Sequence, residues 1–161
     1  MDARFPLSDN EIGLKFGKRF ANAAMVIDQS PLPKATQELV KIRASQINGC
    51  GFCTDMHTKD ATADGETPAR LNLVAAWREA TVFTEAERAA LALAEEGTRI
   101  ADAHHGVSDE TWARAREHFD DDQLVALVSL VALINAANRI NVIVRNPAGS
   151  YEPGMFAAFA N

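Results

Sequence analysis

The chain has 161 residues, 47% of them hydrophobic and 24% charged, which supplies enough apolar surface for a core without disulfides or a structural metal. A formal net charge of −6, with 16 lysines and arginines scattered along the chain, excludes a nucleic-acid binder, which needs clustered cations to neutralise phosphate. The first thirty residues hold no basic segment followed by a long apolar run, and only 2 cysteines are present, so the expectation is one cytoplasmic domain over residues 1–161 with no membrane anchor.

Along the chain, Ser8-Asp9-Asn10-Glu11 has the form of a capping box, in which Ser and Glu satisfy the first free amides reciprocally, and predicts a helix start. Pro33 predicts another, opening a helix over Lys34 to Ile47 that stops at Asn48-Gly49. Cys50 to about Ala63 reads as the next helix, closed by Asp64-Gly65, so the two form an antiparallel hairpin. Thr67-Pro68, the second capping box Thr84-Glu85-Ala86-Glu87, Ser108 and Asp120-Asp121-Asp122 mark the later starts. The apolar spacing is helical and no segment alternates like a half-buried strand, so the fold class is all-α.

Leu124, Val125, Leu127, Val128, Leu130, Val131, Leu133 and Ile134 cover nearly the whole circumference of one helix, which calls for burial at the centre of the fold or under a second subunit. The uncharged run that holds them, Gln123 to Asn138, is shorter than a membrane span and contains Ser129 and Asn135. Asn146-Pro147-Ala148-Gly149 ends this helix, and the tail from Tyr151 to Asn161 offers Phe156 and Phe159 for docking. His104 and His105 read as cations at a helix end, as does His118. Arg139 is expected to pair with an acidic residue across an interface, because an unpaired buried charge is costly, while Arg43 and Gln46 face either the cysteines or solvent.

The chemistry concentrates in the hairpin. Cys50 and Cys53 fall in the first turn of its second helix, where the i, i+3 spacing puts both sulfurs on one side, and free amides with the helix dipole lower a thiol pKa. His57 continues the same stripe. Glu38 lies, at ~1.5 Å rise per residue, roughly level with His57 on the facing helix, so a Glu-His pair is expected across the hairpin. An ionised sulfur, a base and a group that orients the base are what a thiol peroxidase or disulfide reductase needs, and a second cysteine resolves the sulfenic acid before over-oxidation.

Glu38, Cys50-Gly51-Phe52-Cys53 and His57, with the stretch Ile42 to Gly49 and the stretch Glu85 to Glu95, resemble the alkylhydroperoxidase D (AhpD) family of the carboxymuconolactone decarboxylase-like superfamily over roughly residues 10–145. The resemblance implies a compact all-helical bundle that assembles into homo-oligomers, trimers or hexamers, and an enzyme that reduces organic hydroperoxides with no bound cofactor. It also implies roles. Cys53 attacks the peroxide; Cys50 resolves the product and exchanges with a dithiol reductant of the dihydrolipoyl type carried by a partner protein; His57 and Glu38 relay protons. The best-known AhpD proteins carry a histidine immediately before the second cysteine, where this chain has Phe52, which is expected to wall the substrate pocket with apolar surface.

Other readings use the same residues differently. A thioredoxin-like domain needs a βαβ context that the chain lacks. A decarboxylase of the superfamily acts on a lactone and requires no cysteine pair. A non-catalytic oligomer that binds metal or senses oxidants would offer Cys50, Cys53, His57 and Glu38 as zinc ligands, although a carboxylate is unusual in a closed structural site.

Overall fold

A computed structural model describes residues 2–155, which form seven α-helices, two short 3-10 turns and no strand among the described residues. The helices are α1 (Glu11–Asp28), α2 (Lys34–Ile47), α3 (Gly51–Ala63), α4 (Pro68–Leu73), α5 (Glu85–Thr98), α6 (Asp109–His118) and α7 (Asp121–Val144). Local chemistry sets most of the starts. Thr67 and Ser108 accept from the amides of Arg70 and Thr111, and Thr84 and Asp120 close reciprocal capping boxes with Glu87 and Gln123. The first helix departs from the expectation. Its cap is Asn10, whose Oδ1 accepts from the amides of Ile12 and Gly13 at 2.9 and 3.2 Å, while Ser8 sits in a 3-10 turn and donates to Asp9. Asn caps a helix as well as Ser does, and it stands next to the first helical residue.

Helix α2 is the centre of the bundle. Residues Thr36 to Val40, Ile42, Ala44 and Ser45 are buried, and the helix packs against α3, α5 and α7. One core layer joins Val40 to Leu93, Phe119, Leu127 and Leu130, and a second joins Leu39 and Ile42 to Leu71, Trp77, Phe83 and Leu91. A third, small layer encloses both sulfurs with Ala44 and Ile134.

Helix α7 is therefore not covered on every side within the chain: Leu124, Leu127, Leu130 and Ile134 face inward, but Val125 and Val128 are 67% and 46% exposed. Its 24 residues extend beyond the uncharged run, and by length and composition alone the helix could cross a membrane. Other placements also differ from the sequence reading. α5 ends at Thr98, so His104 and His105 lie in the following loop, edge to face with ring centroids 4.7 Å apart, and not at a helix end. His118 is the last residue of α6. Within the chain, Arg139 donates to Asn135 O and Oδ1 at 3.0 and 3.2 Å.

Glu95 of α5 holds the orientation of α2. It accepts from Arg43 Nε at 2.6 Å, from Trp77 Nε1 at 3.0 Å and from Arg78, so Arg43 is committed to this network and not to the cysteines. Glu95→Ala leaves the Arg43 guanidinium, only 14% exposed, without its carboxylate. The variant is expected to lose about 3 kcal/mol of stability, read as a lower denaturant midpoint at unchanged slope.

Candidate functional site

The site is built on the turn between α2 and α3. Asn48 closes α2, Gly49 takes φ +65°, a left-handed conformation that a glycine adopts freely, and Cys50 returns to extended backbone as the N-cap of α3, one position earlier than the sequence reading placed it. Cys50 thus stands at the N-terminal end of α3, where the free amides of the first turn favour a negative charge. Cys53 and His57 follow on the inward stripe of α3, both buried.

The two thiols are not equivalent. The neighbouring Cys53 thiol, the amides of the first turn and the Asn138 carboxamide outweigh burial and hold the Cys50 thiol below its ordinary value. The same arrangement pushes Cys53 up: it gives its proton to the Cys50 sulfur, it is buried, and it faces the Cys50 charge. The two thiols therefore titrate as a pair, with Cys50 the more acidic member. Access follows charge. A cleft of about 690 Å³, lined by Gln46, Cys50, Thr54, Asp55, Thr58 and Lys59, runs along one side of α3. A second of about 370 Å³ is lined by Cys50, Phe52, Asn141, Val142, Arg145 and Asn146. Both are lined by Cys50, itself only 2% exposed, whereas Cys53, at 0%, lines neither.

Glu38 and His57 meet across the hairpin, with His57 Nδ1 3.0 Å from Glu38 Oε2, and Lys41 Nζ lies 2.7 Å from Glu38 Oε1. Burial alone would raise the Glu38 carboxyl, but the bond to His57 and the charge of Lys41 hold it at about 2. Among the described residues His57 makes no hydrogen bond to either sulfur; it stands one helical turn from Cys53. The zinc reading fits poorly, since both Glu38 oxygens are engaged by His57 and Lys41, and no group of three or more metal-type side chains converges among the described residues.

Residues that carried no motif complete the site. Asn141 Nδ2 donates to Cys53 Sγ at 3.2 Å, and Asn138 hydrogen-bonds both sulfurs. Asparagines in an apolar helix were the available signal, because buried carboxamides need partners. After α7 the chain folds back over α3. The Gly149 amide donates to Asp55 at 2.8 Å, Lys59 donates to the Tyr151 carbonyl at 2.8 Å, and the Tyr151 hydroxyl donates to Asp60 at 2.7 Å. Tyr151 is thereby the docked aromatic of the tail, while Phe156 and Phe159 lie outside the described residues.

The model of the carboxymuconolactone decarboxylase family matches residues 15–96, which include Glu38, both cysteines and His57. The chain belongs to the carboxymuconolactone decarboxylase family. It is 46% identical to an uncharacterized protein, YdfG, of Bacillus subtilis (strain 168), over 76% of this chain and 82% of that protein. Among solved structures, it resembles a protein of unknown function from Agrobacterium tumefaciens provisionally assigned to antioxidant defence as AhpD. The TM-score is 0.84 and the identity 33%, over 93% of this chain and 100% of the other. The debrominase Bmp8 shares the fold at TM-score 0.74 and 17% identity, over 86% of this chain and 76% of its own. This family member is thus AhpD-like.

The depressed Glu38 carboxyl ties stability to pH. Its folded value of about 2 lies below the ordinary 4.5, so its contribution is complete above pH 4.5 and is lost as the pH falls towards 2. Glu38→Gln is expected to flatten that part of the pH-stability curve, as measured by thermal melts at stepped acid pH.

Proposed function

We propose that this protein is a cytoplasmic thiol-dependent hydroperoxide reductase that cycles Cys50 and Cys53 between dithiol and disulfide, with Glu38 and His57 as its proton relay. The observation that carries this reading is a pair of neighbouring sulfurs at the start of α3, with a histidine on the same helix held 3.0 Å from a buried carboxylate. Peroxide reduction needs such a nucleophile and such a proton source.

The reduced pair carries one proton. A thiolate attacks one peroxide oxygen, the O–O bond breaks, and a sulfenic acid and an alkoxide form; the alkoxide takes a proton and leaves as alcohol. The other sulfur then attacks the sulfenic sulfur, and hydroxide departs with a second proton as water. The net change consumes one proton beyond the pair's own, and His57, oriented by Glu38, is the group to deliver it. An external dithiol restores the pair by exchange at Cys50, the sulfur that both clefts reach; a dihydrolipoyl-type carrier protein is the proposed donor. Phe52 gives the smaller cleft an apolar wall, which favours a hydroperoxide with a hydrophobic body.

The family resemblance gives the attack to Cys53 and the resolving step to Cys50. Charge and access at Cys50 favour the reverse order as a second reading. Cumene hydroperoxide with a sulfenic-acid trap separates them: a trapped adduct on Cys53 in Cys50→Ser supports the first order, and one on Cys50 in Cys53→Ser the second. Wild-type protein that consumes no peroxide with dihydrolipoamide, thioredoxin or glutathione as donor would sink the peroxidase reading and leave the decarboxylase-like one.

The same reading includes a homo-oligomer, a trimer or hexamer. Its support is the exposed apolar surface of α1, at Ile12, Phe16 and Val26, and of α7, at Val125 and Val128. Sedimentation of the wild type at a multiple of the 17.4 kDa chain is expected, with Val128→Asp shifted towards the monomer; a monomeric wild type overturns it.

A further inference from the structure

Helix α7 carries asparagines at i, i+3 and i+6, and two of them are turned on the sulfurs. Asn135 serves the scaffold: its Nδ2 donates to Thr98 Oγ1 and Val131 O, and its Oδ1 accepts from Asn48. Asn141 Nδ2 lies 3.2 Å from Cys53 Sγ and 3.0 Å from Ala137 O, while its Oδ1 accepts from Asn146 Nδ2 at 2.6 Å. Asn138 is 1% exposed; its Oδ1 accepts from Asn48 Nδ2 at 2.9 Å, its Nδ2 donates to Ser45 Oγ at 3.0 Å, and it bonds both sulfurs. Each Oδ1 is thus taken by the NH2 of another asparagine, which only donates. Neither carboxamide can turn over without setting donor against donor, so N–H is what faces sulfur.

We propose that Asn138 and Asn141 are positioning residues that hold negative charge on the sulfur pair, Asn138 on both sulfurs and Asn141 on Cys53 alone, so that enclosed Cys53 can carry charge during the dithiol cycle. An N–H bond to a thiolate is charge-assisted, whereas a thiol sulfur is a weak acceptor, so these donors select the ionised form. Cys53 needs the help, because it is packed with Ala44, Ile134 and Ala137 in a setting that penalises an anion. The step that uses it is reduction of the disulfide. An external thiolate forms a bond to Cys50, the Cys50–Cys53 bond breaks, and its electron pair leaves on Cys53, which the two carboxamides receive. A more stable leaving thiolate departs faster.

The groups around the pair that titrate or carry charge are Cys50 and His57 on α3, Asp55 and Lys59 of α3 along the larger cleft, Glu38 and Lys41 on α2, and Arg145 at the rim of the smaller cleft; Arg139 of α7 is turned to Asn135. The proposal rests on the dithiol cycle put forward above, but its test reads ionisation and not peroxide turnover, so the two fail separately. In a Cys50→Ser background, the thiolate ultraviolet absorbance of Cys53 is followed against pH. Asn141→Leu is expected to raise the midpoint by about one unit, which is about tenfold in thiolate at a fixed pH below it, and Asn141→Asp to raise it further by placing an anion on the sulfur. A merely structural asparagine would not grade the midpoint by side-chain charge. Asn146→Ala touches neither sulfur and frees Asn141 to turn; a smaller upward shift is expected. An unchanged midpoint in folded Asn141→Leu and Asn141→Asp overturns the proposal, and if those two do not fold, an unchanged midpoint in Asn146→Ala does so.

Discussion

Helix α2 is surrounded by α3, α5 and α7, and several of its buried side chains are polar. Apolar contact is non-directional and would tolerate many rotations of the bundle, whereas a buried polar group must find its partner at hydrogen-bond distance. Gln37 Nε2 donates to Ile27 O and Leu32 O, which fixes the link from α1; Glu38 binds His57 of α3; Ser45 accepts from Asn138 of α7; Arg43 reaches Glu95 of α5. These four pairings set the rotation of every neighbour about α2. The site is a product of that register, since it takes Glu38 from α2, the sulfurs and His57 from α3 and the carboxamides from α7.

Charge within the site is handled by dipoles and hydrogen bonds more than by cations. The arginines nearest in sequence are diverted, Arg43 to Glu95 and Arg139 to its own helix, and Lys41 faces Glu38. Cys50, the more acidic sulfur, stands at the start of α3 beside a neighbouring thiol and a carboxamide. Such donors need little reorganisation as charge moves, a property that electrostatic preorganisation exploits. The fold alone does not specify a reaction, as the similarity to the debrominase Bmp8 illustrates. In the proposed cycle the chemistry falls to Glu38, Cys50, Cys53 and His57, and selectivity to a rim formed of Phe52, Val142 and the segment that returns after α7.

The sequence by itself determined the all-α class, most helix starts and the hairpin, because caps and turns act over a few residues: Thr84 with Glu87, Asp120 with Gln123, Gly49 after Asn48. It also determined the meeting of Glu38 and His57, since a tight turn between two regular helices leaves their relative level no freedom. The capping of α1 was local as well, but two adjacent sequences both resemble caps and only the folded chain chose Asn10. Tertiary structure alone made α2 the centre in place of α7, because α2 gains its burial from three neighbours that its own mixed sequence does not announce. It alone made the two thiols unequal. Cys50 and Cys53 read alike in the motif, and what separates them is the position of the helix cap, the walls of two clefts and a hydrogen bond from Asn141, 88 residues from Cys53 along the chain and 3.2 Å from its sulfur.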